Sequence, residues 1–201
     1  MEQLSDKVNE FLNIAKTYYD HGNQLIYTTL GNNFLRGGEL YDEENGHRGR
    51  IDCSTYVHLI LQGIPYEKSP YVTGNPEDFY HSDCPWADKE ILNQFLEEKP
   101  IKAAFKLGAY YDAKGRTRSR GQWKPGDLLF FQIREERREE YESYGVYKAI
   151  SHIAIVAEDG TSVYESSGTQ TGNVAENVKR PGVRKTKISD KPKPIFYVSP
   201  F

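Results

Sequence analysis

Residues 151–168 read SHIAIVAEDGTSVYESSG. Two runs rich in β-branched and apolar residues, 151–157 and 161–167, flank Glu158-Asp159-Gly160, a turn signal that sends the chain back on itself. The pattern predicts an antiparallel hairpin whose register depends on the turn. A three-residue loop sets Ala154 opposite Tyr164, so that Tyr164 shares a face with His152. A two-residue turn at Asp159-Gly160 sets Ala154 opposite Glu165, and Glu165 then takes that face, because side chains alternate along a strand.

Two further strands join this hairpin. LLFFQI (128–133) follows Trp123-Lys124-Pro125-Gly126-Asp127, whose Pro-Gly pair predicts a tight turn, and PIFYVSPF (194–201) closes the chain. The N-terminal part reads as helices. Over 4–20, Leu4, Val8, Phe11, Leu12, Ile14, Ala15 and Tyr18 recur near helical period, with Ser5 or Asp6 as the cap and Gly22 past the end. STYVHLILQGI (54–64) is an apolar helix starting at Asp52 or Cys53 and stopped by Gly63 and Pro65; 88–98 is a shorter helix. The Gly- and Asn-rich segment 31–50 is a loop running straight into Cys53, and the Gly- and Arg-rich 108–127 is a connection. Helices first and an antiparallel sheet after predict an α+β fold, with N-terminal helices packed on a central antiparallel sheet. The length of 201 residues suits a single domain, 1–201, with insertions near 66–122 and 134–150.

Composition narrows the function classes. With 37% hydrophobic and 27% charged residues the chain has the profile of a soluble globular protein. A net charge of -3 argues against a nucleic-acid partner, and Lys114, Arg116, Arg118, Arg120 and Lys124 read as a solvated loop or strand edge. No segment has the roughly 20 apolar residues of a membrane span, and the N-terminus lacks a secretory pattern, so the expectation is a cytoplasmic protein or one exported by another route. The histidines lack metal-ligand spacing, and there is no phosphate-binding glycine motif, so neither metal nor cofactor is expected. The acidic residues at Glu135, Glu136, Glu139, Glu140 and Glu142 alternate with arginines and read as a solvated face.

Cys53 and Cys84 are the two cysteines. Cys53 stands where a polar loop meets an apolar helix. There, unpaired backbone N–H groups and the helix dipole favour thiolate and can hold an oxyanion. Cys84, in SDCPW, lacks that setting; a bridge between the two would disable the thiol. His152, at the start of a core strand, is the partner a nucleophilic cysteine needs as its base.

GRIDCSTYVHLI (49–60), WKPGDLLFFQ (123–132) and SHIAIVAEDGTSVYESSG (151–168) together resemble the three signature segments of the NlpC/P60 cysteine peptidases. The resemblance implies a papain-like core and hydrolysis of amide bonds in small peptides, above all cell-wall (peptidoglycan) stem peptides, often next to D-glutamate. It implies Cys53 as nucleophile and His152 as base, with Asp52 and Ser54 in contact with substrate; Ser151 and Tyr164 are further candidates for substrate contact. The usual family pattern puts the third catalytic residue at position 164, where this chain departs with a tyrosine; some relatives use glutamate in a similar V-Y-E context. Chemistry prefers Glu165, because a carboxylate both orients an imidazole and stabilises its cation. A dyad without a third residue stays open, as do thioester or ester hydrolysis, acyl transfer, and a catalytically inactive binding protein on the same scaffold.

Overall fold

Four residues of unbroken apolar character, Leu128–Phe131, form a strand buried on both faces, and the sheet grows outward from it. The computed structural model describes residues 5–27, 49–73, 104–119, 122–132, 149–168 and 174–201. In chain order the strands are β1 (Ile26–Tyr27), β2 (Arg50–Ile51), β3 (Thr117–Arg118), β4 (Leu128–Phe131), β5 (His152–Val156), β6 (Ser162–Glu165), β7 (Arg184–Lys187) and β8 (Phe196–Val198). Six of them make an antiparallel sheet in the order β3-β8-β4-β5-β6-β7, while β1 and β2 form a separate parallel pair. The predicted turn before β4 is present: the Asp127 N–H donates to the Lys124 carbonyl, and Gly126 holds φ +89° at the position where a Pro-Gly turn requires it.

The β5–β6 hairpin sets Ile155 opposite Tyr164 and Val156 opposite Val163. That is the register expected of the two-residue turn, reached by a longer loop. The Ala157 N–H donates to the Ser162 carbonyl, enclosing 158–161, and the Gly160 N–H donates to the Ala157 carbonyl with Gly160 at φ +65°. Asp159 Oδ1 accepts from the N–H groups of Thr161 and Ser162 and holds the loop in shape.

The α-helices are α1 (Asp6–Asp20), α2 (Cys53–Leu61), α3 (Pro70–Thr73), α4 (Ala104–Ala113) and α5 (Val174–Asn177), with short 3-10 helices at Gly22–Gln24, Tyr66–Lys68 and Ile188–Asp190. Ser5 caps α1, its Oγ accepting from the Val8 N–H. Gly22 is not in the left-handed region; it is needed because a Cβ there would lie 2.1 Å from the Val183 carbonyl oxygen. Helix α2 ends as predicted, with Gly63 at φ +71°, its N–H on the Ile60 carbonyl and the Ile64 N–H on the Leu59 carbonyl. Tyr56, Val57, Leu59 and Ile60 of α2 are fully buried. Each such side chain stabilises by roughly 1.5–3 kcal/mol against about 1 kcal/mol for a cap, so burial holds the helix in place and the cap decides where it starts.

The sheet has two unequal faces. Ile153, Ile155, Tyr164, Leu128, Phe130, Phe196 and Val198 pack with α1, α2 and α4 in the main core. Leu129, Phe131, Ala154, Val156, Val163 and Tyr197 form a smaller cluster on the other face, covered by Trp123 and Ile188. The architecture is thus α+β, with helices packed against a larger antiparallel sheet. One sequence expectation needs correction. Residues 104–113 form a helix where an insertion and a connection were read; Gly108 obscured it, yet a Cβ there would come within 2.7 Å of Ile150 Cδ1, so the glycine lets α4 approach the sheet. Arg184–Lys187, polar throughout, is a strand where no element was expected, and Thr117–Arg118 of the basic stretch is an edge strand, one of the two settings expected for it. The expected helix 88–98, most of the loop 31–50, most of the two long insertions, and Cys84 lie outside the described residues. No helix among the described residues is long and apolar enough to cross a membrane.

Candidate active site

The chain enters α2 through a fixed approach. Arg50–Ile51 pairs with Ile26–Tyr27, the Tyr71 hydroxyl donates to the Arg50 carbonyl at 2.9 Å, and the Ser166 hydroxyl to the Ile51 carbonyl at 3.4 Å. Asp52 is the N-cap: its Oδ1 accepts from the Thr55 N–H at 2.8 Å and from the Ser54 hydroxyl at 2.8 Å. Cys53 is therefore the first helical residue, a free thiol and only 7% exposed.

The thiol differs from its sequence expectation in acidity. Burial pushes it up to about 12, the Asp52 charge adds to this, and the more distant Glu165 adds a smaller push. Hydrogen bonds from the backbone N–H groups of Ile153 and Ser54 act the other way and are outweighed. A helix N-terminus does favour thiolate, but here its cap is itself a carboxylate and the sulfur has lost most of its water. Burial thus favours the neutral form of the thiol.

The Ile153 N–H leads to the second half of the site. Ile153 follows His152 on β5, and alternation turns the His152 ring to the sheet face away from α2, beside Phe131 at 5.9 Å between ring centroids. The hairpin register brings Glu165 to that same face. His152 Nε2 and Glu165 Oε2 are 2.5 Å apart, with the two side chains 3% and 0% exposed. Three more groups converge on this carboxylate: Lys191 Nζ at 2.5 and 2.6 Å, the Thr186 hydroxyl at 2.8 Å and Arg184 Nε at 3.4 Å. Burial alone would raise the Glu165 carboxyl, but the hydrogen bond from His152 and the Lys191 ammonium hold it well below the ordinary carboxylate range. An ionised carboxylate can only accept, so Nε2 carries the proton it donates to Glu165, and Nδ1 is the ring nitrogen left for other chemistry.

The candidates thus fall into two groups. Cys53, Asp52 and Ser54 sit together at the helix start, and the thiol meets β5 one residue from His152. His152 and Glu165 are in direct contact. Among the described residues no hydrogen bond joins Cys53 to His152. Ser151, half-buried, is tied to β4 by its N–H on the Phe131 carbonyl at 3.0 Å. Tyr164 is on the opposite face from His152: its hydroxyl donates to the Glu158 carboxylate at 2.9 Å, and its ring lies 5.4 Å from Tyr19 and under the Lys185 ammonium. His58 is buried within α2 and His21 stacks on Tyr66 at 4.3 Å; His47 and His81 lie outside the described residues.

Sequence reasoning missed Lys191, Thr186 and Arg184. One signal was present: an acid facing the interior of an apolar strand needs a counter-charge, and RKTKISDK (184–191) is a basic run downstream of it. No protein-family model matches the chain, and no curated protein matches it either.

Proposed function

We propose that the chain is a cysteine hydrolase of amide bonds, of the NlpC/P60 kind with a papain-like core, acting on small peptides such as cell-wall stem peptides. The observation that carries this is the buried Glu165–His152 pair on β5 and β6, one residue from the Ile153 N–H that meets the Cys53 thiol. A carboxylate fixing one imidazole nitrogen leaves the other to work on a nearby nucleophile, which is the arrangement acyl transfer needs. With burial favouring the neutral thiol, the base acts during the attack. In this reading His152, at the start of β5, reaches past the strand end from the face away from α2: Nδ1 takes the thiol proton as sulfur bonds to the amide carbon, and backbone N–H groups at the start of α2 hold the oxyanion. The C–N bond then breaks, and the imidazolium gives its proton to the departing amine. Water, deprotonated by His152, attacks the thioester; the carboxylic acid leaves and the thiol re-forms. Glu165 keeps the ring oriented and stabilises its cation through the cycle.

Mass spectrometry of peptidoglycan fragments incubated with the protein tests this. The expected result is a product pair differing from substrate by one water, absent with C53A. Cleavage that persists in a clean C53A preparation overturns the assignment. A second reading has one observation in its favour: the thiol is buried and has no hydrogen bond to His152 among the described residues, as suits an inactive binding protein on this scaffold. Fragments that bind without being cleaved, equally well to wild type and C53A, would establish that reading instead.

A further inference from the structure

The carboxylate of Glu165 is gripped from outside the sheet as well as from within it. After β7 the Ile188 N–H donates to the Thr161 carbonyl at 2.9 Å, and the 3-10 helix Ile188–Asp190 closes with the Lys191 N–H on the Ile188 carbonyl at 3.0 Å. Lys191 is extended, at φ -107° and ψ 156°, the conformation that the following Pro192 favours. Its side chain, only 9% exposed, returns to β6, where the ammonium lies 2.5 Å from Glu165 Oε1 and 2.6 Å from Oε2.

The charges that meet at the imidazole can be named one by one. Facing Glu165 are His152 from β5, Arg184 and Thr186 from β7, and Lys191; Phe131 of β4, beside the ring, carries no charge. Lys185 and Lys187 alternate to the other face of β7, where Lys185 pairs with Glu158 and Asp159. Across β5, Asp52 and Cys53 stand at the start of α2. Arg184 is the weaker of the two cations: its Nε is 3.4 Å from Oε1, its side chain is 29% exposed, and its Nη2 donates to the Ser167 hydroxyl. Lys191 is closer and more deeply buried, so its charge is less screened. It offsets the single charge of Glu165 before the pair takes any proton beyond the one on Nε2. A further proton on Nδ1 would add a third cation to the cluster. Without Lys191 the carboxylate would offer that proton its full counter-charge, and Nδ1 would be occupied when the thiol needs it.

We propose that Lys191 is a positioning residue of the reaction proposed above, on which this role rests: by taking up the charge of Glu165 it keeps the His152–Glu165 pair to one shared proton, so that Nδ1 is bare at neutral pH. The carboxylate then orients the ring without holding it as a permanent cation. The second proton comes from the thiol and leaves with the amine.

Nitrogen NMR of the full chain labelled in its histidines, titrated in pH, reads the proton on Nδ1 directly and needs no turnover; H152A identifies the His152 signals among those of the five histidines. The two groups titrate as a unit, so the midpoint belongs to the pair. In K191Q, which keeps an N–H donor but loses the charge, the midpoint for the second proton should rise by about one pH unit or more, about tenfold in proton affinity. K191R should stay with the wild type, and T186V, which removes a neutral hydrogen bond from the same carboxylate, should move the midpoint far less. If K191Q does not fold, K191M, whose side chain follows the lysine stem, makes the same test. An unchanged midpoint in the folded neutral variant, a K191R that tracks it, or a T186V shift as large as that from loss of Lys191 would each overturn the proposal. Failure of the hydrolase reading shows separately, as amide cleavage that survives in C53A, and leaves these nitrogen shifts unmoved.

Discussion

The two halves of the candidate site are built in opposite ways. Around Cys53 the polar contacts are local: Asp52 caps a residue three positions on and takes the hydroxyl of one two positions on. Around Glu165 they are distant: His152, Thr186 and Lys191 come from 13, 21 and 26 residues away in sequence. A local cap can be trimmed by one conservative change, whereas a buried carboxylate shared by several donors cannot lose its charge without stranding them. The Glu165 half should therefore be the more sensitive to mutation.

The largest effect is expected from E165Q. The amide keeps the size of the side chain but leaves the Lys191 ammonium, on a side chain only 9% exposed, without its counter-charge. Removing one partner of such a buried pair costs about 3–5 kcal/mol, which chemical denaturation would measure. Turnover should fall by about 10- to 10⁴-fold at saturating substrate, as when a triad carboxylate is neutralised. A stability unchanged within error would mean that the cluster is screened by water.

Acid titration sharpens the same contrast. The Glu165 carboxyl lies lower in the folded chain than in the unfolded one, so its stabilisation is complete above the unfolded carboxylate value and is lost as pH falls through the folded value. Wild-type stability should decline below about pH 4.3, the reference for glutamate. E165Q should show a shallower decline, keeping the part due to Asp159. That carboxyl is raised by burial but held low overall by Lys185 and by the N–H groups of Thr161 and Ser162. Equal slopes in the two proteins would remove Glu165 from the acid response.

The contrast between the halves also explains what could be read from the chain alone. Asp-Cys-Ser before an apolar run, Gly63 after it, Ser5 before α1 and Pro125-Gly126 before β4 are local signals, and each sits where it was read. Glu165 and Tyr164 differ by one step of register, and only the geometry of the hairpin loop separates them. Helix α4 was hidden because Gly108 looks like a breaker until the side chains of Ile150 and Phe196 are seen against it. Strand β7 was hidden because RKTK has no apolar face; it is held by backbone pairing to β6 and by Thr186 and Arg184 reaching Glu165. The thiol's acidity was misjudged for a related reason: the dipole of α2 is a local feature, but the burial of Cys53 against β5 is not.

In the local half the expected changes are smaller. Asparagine caps a helix about as well as aspartate, so D52N should preserve α2 while removing a charge that raises the Cys53 thiol. Alkylation of Cys53 near pH 9 should then speed up by about two- to tenfold. No change would show that burial alone sets the acidity. Y164F should have the smallest effect, less than about tenfold on turnover, because its hydroxyl serves Glu158 on the face away from His152. A loss larger than that of E165Q would transfer the supporting role to Tyr164.

The most direct test of the pairing between the two halves is the pH profile of iodoacetamide alkylation at Cys53, followed by peptide mass mapping to separate it from Cys84, in wild type and in H152A. If His152 draws the proton from the thiol, wild-type Cys53 should react at pH 7–8 at least about tenfold faster than in H152A, and the H152A profile should move to higher pH. Superimposable profiles in folded proteins would show that the two groups do not interact, and would contradict the assignment of Cys53 and His152 as nucleophile and base.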